Sequence, residues 1–135
     1  MLVISIIEAE DFGEELYPIM RDSITGLIKS QHVGLIVAAG DNRGMIYRLL
    51  CEIGNEYPHV FCTILLSNDK LAYEGGNEKY PNIFSLDCDI VHGDINNAKK
   101  RRLEKLVEHS DIVFCRQKYS GKIRKINKCC DILAL

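Results

Sequence analysis

The sequence has no apolar stretch long enough to form a membrane helix, no Cys-x-x-Cys pair, no clustered histidines and no large excess of charge of one sign. The run Leu2 to Ile7 is only six residues long and is followed by Glu8, Glu10 and Asp11, which argues against a signal peptide and a membrane span. His32, His59, His92 and His109 stand apart from one another, so no metal site is expected. A net charge of -2 and a pI near 6.1 give no global drive towards nucleic acid or an anionic membrane, and neither is expected as a partner. An anion site would have to be local. No internal repeat or low-complexity tract divides the chain, and 135 residues at 47% hydrophobic content suit one domain over 1–135.

Six cysteines are present, yet they do not read as a disulfide framework. Cys51, Cys62, Cys88 and Cys115 sit in or beside apolar stretches, and Cys129-Cys130 closes a helix-like segment. Free cysteine packs as a small hydrophobe, so the expectation is buried, reduced thiols in a soluble cytoplasmic protein.

What the chain does have is alternation. Short apolar runs at Leu2 to Ile7, Val33 to Ala39, Val60 to Leu66 and Asp111 to Cys115 are separated by segments with helical apolar spacing. Leu16, Ile19, Met20, Ile24, Leu27 and Ile28 form a stripe on a helix from about Glu14 to Ser30, with Pro18 in its first turn. Met45, Ile46, Leu49, Leu50 and Ile53 mark a second helix, closed by Gly54 and Pro58. A third is capped by Asn96 or Asn97 and runs to about Ser110, with Leu103, Leu106 and Val107 inward. A fourth strand is expected within Ile83 to Leu86 or Asp89 to His92. A short helix opens at Gly121, and Asp131 to Leu135 forms an edge strand. Lys70 to Pro81 is an irregular connection around Gly75-Gly76. The order predicts an α/β fold of three layers, with a mainly parallel sheet of about five strands and helices on both faces.

In such a sheet, ligands bind outside the carboxyl ends of the strands. The loops at Glu8 to Asp11, Gly40 to Gly44, Ser67 to Asp69 and Arg116 to Gly121 would all leave that edge. Gly40, Asp41, Asn42, Arg43 and Gly44 lie between a strand and a helix, where main-chain N–H groups can cradle a phosphate with help from Arg43. The loop matches neither GxGxxG nor GxxxxGK[ST], and a plain turn explains its glycines as well. Lys99, Lys100, Arg101 and Arg102 place cations in the first turns of a helix, against its dipole, and a bound anion would relieve that cost. Arg101 and Arg102 are the expected anion contacts. Ser120-Gly121-Lys122 offers a second small anion loop. Glu8, Glu10, Asp11, Asp41 and Asp69 are candidate bases or ribose acceptors, and His92 is a candidate general base.

This order, together with VGLIVAAGDNRGMIYRLL, EIGNEYPHVFCTILL and RRLEKLVEHSDIVFC followed by YSGKIRK, resembles the SLOG superfamily of Rossmann-like nucleotide-binding proteins, in particular its small YpsA-like branch. The Arg-Asn pair usual in that branch reads Arg102-Leu103 here, and its Gly-Gly-Thr turn reads Ser120-Gly121-Lys122. The resemblance implies a pocket for a nucleotide or an ADP-ribose-like derivative, lined by the Gly40 to Gly44 loop, Arg101, Arg102, Ser120 and Gly121. The LOG enzymes of the superfamily cleave N-glycosidic bonds with a PGGxGT loop and a glutamate. No PGGxGT loop occurs here, so a binding or sensing module without a cofactor or catalytic residues is the expectation.

Two other readings compete. One is a nucleoside-phosphate N-glycosidase using Asp41 or Glu8. The other is a receiver-like signalling domain of flavodoxin-like topology, with Glu8, Glu10 or Asp11 as metal-binding acids, Asp69 as phosphoacceptor and Lys118 after the fifth strand. Small α/β domains often pair through exposed faces, so the assembly expected is a homodimer.

Overall fold

A computed structural model describes residues 1–39, 44–66, 83–85 and 95–135. Six strands, β1 (Leu2–Ile6), β2 (Val33–Ala39), β3 (Phe61–Leu66), β4 (Ile83–Ser85), β5 (Ile112–Cys115) and β6 (Asp131–Ala134), form one sheet in the order β4-β3-β2-β1-β5-β6. Every neighbouring pair is parallel. The three-layer α/β reading therefore holds, with six strands rather than about five. The strand near Ile83 is β4; the alternative at Asp89 to His92 lies outside the described residues, as does Lys70 to Pro81.

Helices α1 (Tyr17–Ser30) and α2 (Met45–Glu56) cover one face of the sheet. Helices α3 (Ile95–Glu108) and α4 (Ser120–Ile126) cover the other. The central strands are apolar in both directions because both faces are covered. Ile4, Ile6, Ile36, Ala38, Cys62, Ile64 and Phe114 pack towards α1 and α2, whereas Val37, Ala39, Val113 and Cys115 pack towards α3 and α4.

Three details of the helices differ from expectation. Only a 3-10 turn forms over Glu14–Leu16 before α1, and α1 buries Met20, Ile24 and Ile28 while Ile19 stays 50% exposed, off the stripe. Gly54 does not end α2: the helix continues to Glu56, and a Cβ at Gly54 would stand 3.9 Å from the Cβ and Sγ of Cys62 on β3. Gly54 thus faces β3 at ordinary contact distance, and the helix stops where the Tyr57 N–H bonds back to the Ile53 carbonyl, just before Pro58. Helix α3 begins at Ile95, so Asn96 and Asn97 lie within its first turn rather than capping it.

The outer surface of the α1–α2 layer is an ion-pair lattice. Arg48 grips Glu14 with two nitrogens at 2.8 and 2.6 Å, approaches Glu52 at 3.7 Å and lies 4.7 Å from the centre of the Tyr17 ring. Arg21 pairs with Glu56 and with Glu52, and the Tyr17 hydroxyl donates to Glu52. The bidentate Arg48 contact holds the Glu14 carboxyl below its ordinary range.

The other layer is fastened by neutral polar contacts. Asn127 donates from Nδ2 to the Val107 carbonyl at 2.9 Å and to the Ser110 carbonyl at 3.3 Å, closing the end of α3. The Ser110 hydroxyl donates to the Leu106 carbonyl and also meets the buried hydroxyl of Ser5 on β1. Ser110 has one proton to give, so Ser5 is the donor in that pair.

Cys62, Cys115 and Cys130 are buried and free, as expected, and Cys51 is half-buried. Burial, reinforced by nearby Cys51, pushes the Cys62 thiol up to about 12, so it packs as an inert hydrophobe. Cys129 is the correction: it is exposed, in the turn before β6. Cys88 lies outside the described residues. Among the described residues, no helix is long and apolar enough to cross a membrane.

Candidate functional site

The strand order sets where a site can form. From β1 the chain builds outward through β2, β3 and β4, then returns to place β5 on the other side of β1 and ends with β6. Connections leaving the carboxyl ends of β1 and β5 diverge, and the gap between them is the binding crevice of such sheets. The same order rules out flavodoxin-like topology, in which β1 lies between β2 and β3; here β1 lies between β2 and β5. The receiver-like reading loses its scaffold.

At the end of β1 the Ile7 N–H bonds to the Phe114 carbonyl of β5 at 3.1 Å. Glu8 then turns the backbone with φ 52 and ψ 56, in the left-handed region that few side-chain-bearing residues adopt. A 3-10 turn over Ala9–Asp11 follows and buries Ala9, while Phe12 enters the core. The strained turn carries Glu8, Glu10 and Asp11 along one wall of the crevice. Opposite, Arg116 follows directly on β5, and a 3-10 turn over Gln117–Tyr119 leads into α4.

Asp11 ties the two walls together. Its Oδ2 accepts the Tyr119 hydroxyl at 2.7 Å and lies 3.6 Å from Lys118 Nζ, and its main-chain carbonyl accepts Arg116 at 3.2 Å. Lys118 Nζ also sits 5.1 Å from the centre of the Tyr119 ring. The bond to Asp11, then burial and the charges of Asp11, Glu8 and Glu10, push the Tyr119 phenol up to about 12, so it is a neutral donor at physiological pH. An open cavity of about 530 Å³ lies here, lined by Asp11, Arg116, Gln117, Lys118 and Leu135. Apart from the Asp11 carbonyl, the guanidinium of Arg116 has no hydrogen-bonding partner among the described residues.

The site residues expected from sequence fare unevenly. Gly40, Asp41, Asn42 and Arg43 lie outside the described residues, as do Asp69 and His92. Gly44 is the residue before α2, in an extended conformation, and a Cβ there would meet nothing within 4 Å. The α2 N-terminus carries neither a side-chain cap from Gly44 nor an acidic residue in its first turn, and it follows the carboxyl end of β2 at the same sheet edge. Arg101 and Arg102 fall in the second turn of α3, and their side chains lie outside the description. Ser120 and Gly121 are the first two residues of α4 rather than a loop. The Ser120 hydroxyl donates back to the Gln117 carbonyl at 2.9 Å, and α4 is only seven residues long.

Arg116, Gln117 and Tyr119 went unnoticed as individual site residues. Their only signal is position, immediately after an apolar strand, and it becomes informative once β5 is known to lie beside β1. Among the described residues no group of three or more His, Cys, Asp or Glu side chains is placed to hold a metal. Comparison with protein-family models, curated proteins and solved structures gives no match to the chain.

Proposed function

We propose that the chain binds a nucleotide or a nucleotide derivative of the ADP-ribose kind, as a sensing module of the SLOG type, in the crevice between the ends of β1 and β5. The observation that carries this reading is the two-sided cavity at the switch point. Its β1 wall presents the carboxylate of Asp11, which suits sugar hydroxyl donors, and its β5 wall presents Arg116 and Lys118, which suit a phosphate. The uncapped α2 N-terminus at the same edge offers main-chain donors for further phosphate oxygens. The Asp11 carboxylate is engaged by Tyr119 and Lys118, with Arg116 on its main-chain carbonyl, an arrangement that favours holding a ligand over acting as a free base.

A cytoplasmic setting fits the free thiols, four of them at least partly buried, and a homodimer fits the open edge of β6, where Leu133 is 37% exposed. Thermal-shift measurements against a panel of nucleotides and ADP-ribose test the ligand class. A ligand at one hundred times its Kd adds about 2.7 kcal/mol, a rise of roughly 10 °C in Tm for a chain of this size. A flat panel contradicts the reading. Release of free base from nucleoside monophosphates would replace it with the N-glycosidase alternative.

A further inference from the structure

The net charge of -2 conceals a segregation along the chain. Residues 99–128 hold eleven of the 17 Lys and Arg residues but only three of the 19 Asp and Glu residues. Arg116 and Lys118 line the crevice, and the other nine belong to α3, α4 or the residues just after α4, the layer that covers one face of the sheet. Lys100 and Lys105 on α3, Lys122 and Lys125 on α4 and Lys128 beyond it are all exposed, and none has a carboxylate partner among the described residues. On the opposite layer, Arg21 and Arg48 are both neutralised by glutamates.

We infer that the outer surface of α3 and α4 is a docking face for the phosphodiester backbone of a nucleic acid duplex. Unpartnered like charges on adjacent helices repel one another, and an external polyanion removes that cost. Other polyanionic surfaces fit less well. The described apolar side chains of α3 and α4 pack inward: Leu103, Leu106, Val107 and Ile123 are buried, and Ile126 is partly buried against the same core. No large hydrophobic side chain is exposed on the described part of either helix, so the face has nothing to insert into a bilayer. For the same reason it lacks the aromatic platform that single strands stack upon and the apolar centre of a protein interface. What remains is a set of described cations, Lys100 and Lys105 on α3 and Lys122, Lys125 and Lys128 on and after α4, along a layer whose longer helix spans about 21 Å, enough to track roughly six base pairs of backbone without reading sequence.

The test is fluorescence anisotropy of a labelled random-sequence DNA duplex of about 20 base pairs, titrated with the full chain at several NaCl concentrations. Five phosphate contacts predict that log K falls with log salt at a slope of about -4.5. The triple variant Lys105→Glu, Lys122→Glu, Lys125→Glu is expected to bind at least about tenfold more weakly, with a slope shallower by about three. The corresponding glutamine variant, which removes charge without adding repulsion, should fall between them. Lys29→Glu, on α1, should leave binding unchanged. Three results overturn the inference: no duplex binding at low salt, equal binding by the triple variant, or capture by phosphatidylserine vesicles with none by the duplex. All three lysines lie off the crevice lining, so nucleotide binding there should persist in every variant.

Discussion

The two helical layers handle charge in opposite ways. Across α1 and α2 the arginines are stitched to glutamates, with Arg48 held between Glu14, Glu52 and the Tyr17 ring and Arg21 held by Glu52 and Glu56. Across α3 and α4 the exposed lysines have no carboxylate partner among the described residues, and neutral groups such as Asn127, Ser110 and Ser5 hold the layer in place. One layer spends its charge on packing; the other leaves it available. A chain with a balanced total can still present a strongly cationic face.

The contrast can be broken most forcefully through the cores beneath the layers. Leu49→Ala on α2, a fully buried site, should cost about 2–5 kcal/mol in urea denaturation, and Val107→Ala under α3 somewhat less because fewer atoms are removed. Next comes Asn127→Ala, which removes the side-chain donor shared by the Val107 and Ser110 carbonyls, Val107 keeping the Ser110 N–H at 3.2 Å. It should cost about 1–2 kcal/mol and be insensitive to salt, since no charge is involved. Arg48→Ala removes an exposed pair and its ring contact. It should lower the urea midpoint only slightly, a loss that shrinks in 1 M NaCl. The sign reverses in the other layer: Lys100→Glu, away from any helix C-terminus, relieves repulsion and should raise the urea midpoint slightly at low salt.

Titration separates the two layers as well. Glu14 has a depressed pKa when folded, so its contribution is present above the unfolded value and is lost as pH falls through the lower folded one. Tyr119 is raised, so its contribution is complete below the ordinary tyrosine value and is lost as pH climbs through about 12. Ultraviolet titration should show this phenol ionising late. Asp11→Asn should bring it back towards the ordinary range, and an unchanged titration would deny the Asp11–Tyr119 bond.

Much of the scaffold was legible because burial on both faces leaves a plain mark. Val33 to Ala39 reads as an unbroken apolar run and is β2 to the residue, and Leu103, Leu106 and Val107 were placed inward by spacing alone. Local rules failed where tertiary packing competes with them. Gly54 looked like a terminator yet sits against Cys62, and Ile19 looked like core yet rotates into solvent beside Met20. The crevice was the least legible part. Asp11 and Tyr119 are 108 positions apart, and no local pattern announces that β5 will lie against β1. The basic run at Lys99 to Arg102 was visible, but its continuation onto α4 needed the two helices side by side on one face.

The central claim is that the β5 wall of the crevice grips the anionic part of a nucleotide derivative. Calorimetric titration of ADP-ribose into the wild-type chain and into Arg116→Ala tests it most directly. Hydrogen bonds to a charged group are worth about 1.5–3 kcal/mol, so the variant should bind at least about tenfold more weakly while melting only a few degrees lower, through loss of its bond to the Asp11 carbonyl. Equal affinity in the two chains, or no heat from either, would contradict the account.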